Sequence, residues 1–140
     1  MKVLIDSNVV LNILLKQPAF YTGSQKIFFI AERERIAGFV SASAITDIYY
    51  ISRKSLGKAA AREAIKHLLT VFQPAAVTGD DIYQALDLEW GDFEDSVQFV
   101  VGEGLSVDYI ITRNIRDFSS GNIPAITPEQ FIKTVIDITE

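Results

Sequence analysis

Lys2-Val3-Leu4-Ile5-Asp6-Ser7-Asn8 opens the chain, and its reading decides the fold. Residues 2–5 are short, apolar and β-branched, the pattern of a strand. Asp6 ends that run, although ionised carboxylates are seldom set beside a core without compensation. Three more aspartates raise the same question. Asp47 interrupts the apolar stretch 44–51, Asp95 lies in the first turn of a helix that continues with Val97, Val100 and Val101, and Asp117 follows Tyr109-Ile110-Ile111 by a short polar loop. None of these segments holds a matching set of lysines or arginines. A hard divalent cation with oxygen ligands, Mg²⁺ or Mn²⁺, compensates such charge well. The pattern points to a metal-dependent site for an anionic substrate.

Outward from residues 2–5, strands and helices alternate. Helices are expected over 9–15 (stopped by Pro18), 23–35, 43–51 with Ser43 as N-cap, 57–71, 82–88 after the cap signal Thr78-Gly79-Asp80, and from Asp92 to the glycines 102 and 104. Further strands are expected at 38–40, 75–77, 109–112 and 125–126. Thr127-Pro128-Glu129-Gln130 starts a terminal helix, with a cap residue, a proline at the first helical position and a glutamine at the third. Such alternation implies an α/β fold, a parallel sheet covered on both faces. Ligands of such sheets bind at the carboxyl ends of the strands, near the topological switch point. Asp6 follows the first strand, and Asn114 and Asp117 follow the fourth, so both loops open on one edge. Asp47 and Asp95 are expected from N-terminal helix turns, where the helix dipole favours a carboxylate.

Composition bounds the function. The 140 residues suit one domain over 1–140, and an apolar fraction of 49% fits a globular chain. A net charge of −5 argues against general nucleic-acid binding, though a metal would offset it locally. The absence of cysteine removes disulfides, thiolate ligands and a cysteine nucleophile. Neither a signal peptide nor a membrane span is expected, which makes a cytoplasmic location the default.

Four stretches then carry a resemblance. Val3-Leu4-Ile5-Asp6-Ser7-Asn8, residues 43–51, Asp92-Phe93-Glu94-Asp95 and Ile111-Thr112-Arg113-Asn114-Ile115-Arg116-Asp117-Phe118 resemble, in order, the four acidic segments of PIN-domain ribonucleases of the VapC toxin type. The resemblance implies a PIN-like three-layer sandwich, with a parallel central sheet of about five strands between helices. It also implies a Mg²⁺- or Mn²⁺-dependent endoribonuclease acting on single-stranded RNA, an antitoxin partner and a homodimer. Carried over residue by residue, the catalytic acids are Asp6, Asp47, Asp95 and Asp117, with the metal on Asp6, Asp47 and Asp95. Ser7, Asn8, Thr112, Arg113, Asn114 and Arg116 are expected around them, orienting Asp6 or contacting substrate. Two positions depart from the pattern: Asp47 stands where glutamate is usual, and Asn114 where an acid often follows Thr-x.

Other readings stay open at each position. Asp6, Ser7 and Asn8 could serve local turn chemistry, Asp47 could be a dipole partner, and Asp92 is read as the helix cap. Lys58, Arg62 and Lys66 line one helical face, either a phosphate-tracking strip or a solvated face paired with Glu63. His67, among Ile65, Leu68 and Leu69, reads as boundary packing, and Tyr21, Phe28 and Phe29 as a subunit contact. A phosphatase of the haloacid-dehalogenase type would need a second aspartate where Asn8 stands. The alternative that survives is a non-catalytic PIN-like module binding RNA or protein.

Overall fold

The structure is a computed structural model and describes residues 1–136; residues 137–140, within the span expected as one domain, lie outside the described residues. In chain order the elements are β1 (Lys2–Ile5), α1 (Ser7–Leu14), α2 (Tyr21–Glu32), β2 (Ala37–Ser41), α3 (Ala42–Leu56), α4 (Lys58–Leu68), β3 (Gln73–Ala75), α5 (Gly79–Asp87), α6 (Phe93–Leu105), β4 (Tyr109–Ile111), a 3₁₀ turn (Ile115–Phe118), β5 (Ala125–Ile126), and α7 (Pro128–Phe131) running into a π-helical turn (Ile132–Ile136).

The strands form one five-stranded sheet, all parallel, in the order β3-β2-β1-β4-β5. The expected α/β class, with a parallel sheet of about five strands between helices, is the architecture found. β1 is central, which explains its unbroken apolar run: Val3, Leu4 and Ile5 are fully buried. Val3 and Ile5 pack with Val40, Ile111 and residues of α1, α2, α3 and α4 on one face. Leu4 and Ile110 pack with residues of α5 and α6 on the other.

Several local expectations shift. The α3 cap is Ser41, not Ser43: Ser41 ends β2 in extended backbone, so its Oγ accepts from the Ala44 N–H at 3.1 Å. Ser43 already lies in the first turn, with its hydroxyl 3.2 Å from Ser41 Oγ. Asp47 therefore sits in the second turn of α3 rather than the first. The helix also runs to Leu56, and Gly57, at φ 86°, turns the chain directly into α4. β3 lies two residues earlier than expected, pairing Pro74 with Val40 on an edge strand where proline is tolerated. α7 begins as expected, with a Thr127/Gln130 capping box and Pro128 at its start. Phe28, expected at an exposed contact, is a core residue, because α2 turns it inward against Phe72 at 5.9 Å; Phe29 stays exposed.

Arg113 needs the largest correction. Its Nε donates to Asn12 Oδ1 at 3.0 Å, and Nη2 donates to Phe20 O at 3.0 Å and Ser24 Oγ at 2.9 Å. Nη1 pairs with Glu129, and the guanidinium lies 4.7 Å from the centroid of the Phe20 ring. A side chain 11% exposed, with its donors taken in this way, is a structural pin rather than the substrate contact expected. It ties the loop after β4 to α1, α2 and α7. Arg113→Met should therefore cost about 2–4 kcal/mol by leaving Phe20 O without its donor and Glu129 without its counter-charge. The urea midpoint checks this, and an unchanged midpoint would contradict the pin.

Candidate active site

β1 and β4 pair Leu4 with Ile110 and Ile5 with Ile111, and the Asp6 N–H donates to Ile111 O at 2.9 Å. That register sets Asp6 level with Thr112. β1 pairs with β2 on one side and β4 on the other, so the two connections leave in opposite directions there. The carboxyl ends of these strands are thus the switch-point crevice, and Asp6 stands at its floor.

Asp6 is 7% exposed and also serves as the N-cap residue of α1. Its Oδ1 accepts from Ser7 N at 2.8 Å and Ser7 Oγ at 3.5 Å, while Oδ2 accepts from Thr112 Oγ1 at 2.7 Å and Asn8 Nδ2 at 3.3 Å. Asn8 also accepts from the Arg113 N–H at 3.2 Å, and the Asn114 N–H donates to Thr112 Oγ1 at 3.0 Å. Ser7 and Asn8 from the first turn of α1 and Thr112 from the end of β4 therefore fix one carboxylate from two sides. Burial nevertheless pushes Asp6 above the usual carboxylate range, against these hydrogen bonds, and the charge of Asp117 adds to the rise.

Asp92 caps α6, its Oδ1 accepting from the Asp95 N–H at 3.1 Å. Two acids then occupy the first turn of that helix. Asp95 is raised to about 7, first by burial and then by the charges of Asp92, Asp6 and Asp117. Glu94 is also raised to about 7, by partial burial, a hydrogen bond to Asp47, and the charges of Asp47, Asp6 and Asp92. Such a bond to Asp47 is one that Glu94 makes as the donor, so it favours the protonated form of Glu94. Carboxylates from the end of β1, α3, α6 and the 3₁₀ turn thus come close, although Asp6 and Asp117 lie 111 positions apart.

Beside them lies a cleft of about 640 Å³ lined by Trp90, Asp92, Asp95, Arg116, Asp117 and Ser120, among others. Asp117 and Arg116 enter it from the 3₁₀ turn, and Asn114 immediately precedes that turn. Asp117, rather than Asn114, brings a second charge to Asp6 and Asp95. Glu94 was not singled out from sequence, because an acid at the second helical position reads as a dipole partner. Its signal was the Asp92-Phe93-Glu94-Asp95 quartet, three acids in four residues. Lys66 pairs with Glu63 at 3.4 Å, both well exposed, as on a solvated helix face.

Among the described residues, no three aspartates, glutamates or histidines are gathered tightly enough to grip an ion as they stand. The donor chemistry still suits a hard cation. Several oxygen donors, three of them holding protons more tightly than isolated carboxyls do, face one another with little positive charge between them.

Comparison with known proteins gives the fold its family. The family model described as PIN domain matches residues 2–116, and the chain belongs to that family. Its structure is similar to that of VapC20 of Mycobacterium tuberculosis, described as a sarcin-ricin loop cleaving toxin (TM-score 0.70, 15% identity, 85% of this chain and 95% of that one). It is also similar to VapBC2 of Rickettsia felis bound to a DNA fragment from their promoter (TM-score 0.68, 14% identity, 90% and 97%). A toxin-antitoxin complex from Klebsiella pneumoniae gives a TM-score of 0.67 at 17% identity, with 90% and 97% covered. No curated protein matches in sequence.

Raised carboxyls give a stability prediction with a definite sign. Glu94 and Asp95, raised to about 7, make the folded state bind more protons between about pH 4 and about pH 7, and Asp6 is raised in the same direction. Their contribution is complete on the acid side of that window and is lost as pH rises through about 7. The metal-free protein should melt lower at about pH 8 than at about pH 5.5, and Asp95→Asn should flatten that slope. At the higher pH, Asp95→Asn should also melt roughly 2–4 °C above wild type. A melting temperature that rises with pH would contradict the crowded-acid geometry.

Proposed function

We propose that this protein is a Mg²⁺- or Mn²⁺-dependent endoribonuclease that cleaves single-stranded RNA, and the toxin of a toxin–antitoxin pair acting in the cytoplasm. One observation carries the reading: Asp6, Asp47, Glu94, Asp95 and Asp117 lie at the switch-point crevice of a PIN domain, close enough that burial and neighbouring charge raise the proton affinity of Asp6, Glu94 and Asp95. A bound divalent ion supplies charge against a phosphate oxygen and makes a water molecule more acidic. Asp6 and Asp95 would hold that ion, with Asp47 directly or through water and Asp117 at the rim. Ser7, Asn8 and Thr112 keep Asp6 from rotating away. Asn114 keeps Thr112 in place through its backbone N–H.

The remaining chemistry falls to the chain itself. Attack on phosphorus forms one P–O bond and breaks another, and the attacking water must lose a proton. Glu94, with a pKa of about 7, suits that transfer near neutral pH. Arg116 lines the acidic cleft and offers an RNA phosphate a cationic partner. An antitoxin is expected because two of the similar structures are toxin–antitoxin assemblies. An apolar groove among α1, α2 and α4, lined by Val10, Ile13, Phe28, Phe29, Ala64 and Leu68, supports a protein partner. Tyr83 and Leu86, exposed three residues apart on one face of α5, support self-association as a homodimer.

The second reading, a non-catalytic PIN-like module, draws on the absence of a ready three-acid grip among the described residues. Incubation with a mixed-sequence single-stranded RNA and Mn²⁺ separates the two. Wild type should cleave and chelator should stop it, while Asp6→Asn and Asp95→Asn should each lose at least about 100-fold, or roughly 2.7 kcal/mol of transition-state stabilisation. RNA bound but never cut would favour the module. Arg116→Glu should weaken RNA binding and flatten its salt dependence, measured by fluorescence anisotropy at several salt concentrations. An unchanged slope would remove Arg116 from substrate contact.

A further inference from the structure

Gln98 is 1% exposed in α6, and among the described residues neither its Nε2 nor its Oε1 has a hydrogen-bond partner. A buried primary amide with nothing to bond is uncommon in a folded core. Its height in the structure follows from its neighbours. A Cβ on Gly102, four residues later on the same helix side, would lie 3.6 Å from Leu4 Cδ2 and 3.3 Å from Ile123 Cδ1. That side of α6 therefore faces β1 at Leu4. The Asp108 N–H, just past α6, donates to Lys2 O at 2.8 Å, while the other end of α6 carries the acids, so helix and strand run in opposite directions.

Four helical residues back from Gly102 is a rise of about 6 Å. Two strand residues on from Leu4 is a rise of about 6.6 Å, which arrives at Asp6. Gln98 thus stands level with Asp6, one turn beneath Glu94 and Asp95. Side chains on a helix lean toward its N-terminus, here toward those acids. Asp6 has no need of another donor, since four already reach its two oxygens. Asp95 is different. Among the described residues no donor reaches its carboxylate, and Gln98 follows it at the i,i+3 spacing at which glutamine and aspartate side chains pair on a helix.

We propose that Gln98 is a positioning residue: unbonded in the ion-free protein, its Nε2 donates to the Asp95 carboxylate when a divalent cation is bound and holds that carboxylate in place. This rests on the metal-dependent reading above and adds to it a residue outside the acids themselves. Groups that orient a ligand in this way typically contribute 10–100-fold to metal affinity.

Gln98→Met keeps the side chain's length and removes the amide. In calorimetric titration with Mn²⁺ alone, the variant should bind about 10–100-fold more weakly than wild type. Its ion-free melting temperature should be equal or higher, because an unbonded buried amide is gone. On RNA, kcat should fall while KM stays. If wild type binds Mn²⁺ and Gln98→Met binds it equally well, Gln98 is only a core residue and the proposal is overturned while the metal reading stands. If wild type binds no Mn²⁺, both are overturned. Should the variant fail to fold, wild type gives the answer by NMR: the side-chain amide signals of Gln98 should shift on Mg²⁺ addition and saturate with binding. Signals that stay put while Mg²⁺ binds would overturn the proposal.

Discussion

Everything in this structure turns on a carboxylate at the end of the central strand. Asp6 is buried at the end of β1, between β2 and β4, where the connections from β1 and β4 part, and four donors from Ser7, Asn8 and Thr112 hold its two oxygens. Those donors soften the cost of burial without supplying a full positive charge. The chain then brings more acids to the same place. α3 leaves from Ser41, level with Asp6 across the sheet, and carries Asp47; α6 begins with Asp92, Glu94 and Asp95; the 3₁₀ turn adds Asp117.

Such crowding works against stability. Helix N-termini at α1 and α6 offset part of the repulsion, and protonation near neutrality relieves more. Proteins keep such local conflict chiefly where function needs it. The rest of the architecture is conventional by comparison: apolar strands buried on both faces, two cores, and capping boxes that start α5 and α7. Arg113 shows how the site's edge is kept rigid, since one guanidinium joins the loop after β4 to three helices.

The fold was legible because its signals are local. The apolar runs 2–5 and 109–111 and the Thr127-Pro128 cap each lie within a few residues. Asp6 could be singled out because it directly follows an apolar strand. Elsewhere the needed information is tertiary. A basic residue beside a site looks the same in sequence whether it faces substrate or core, and the partners of Arg113 stand 101, 93, 89 and 16 residues away. Glu94 acquires its role from Asp47, on another helix. Ser41 and Ser43 compete for one cap, and the end of β2 decides between them. Between Asn114 and Asp117, spacing alone left the fourth acid open, and the 3₁₀ turn carries Asp117 into the cleft.

The central claim is that these raised acids form a site completed by a divalent cation. Proton release on metal binding tests it most directly, because a cation must displace the protons that Glu94 and Asp95 hold near pH 7. Calorimetric titration with Mn²⁺ at about pH 7, repeated in buffers of different ionisation enthalpy, reads that number. The account predicts binding with net release on the order of one proton, shrinking at higher pH as the acids ionise beforehand. Mn²⁺ binding with no proton release, or no binding at all, would contradict it.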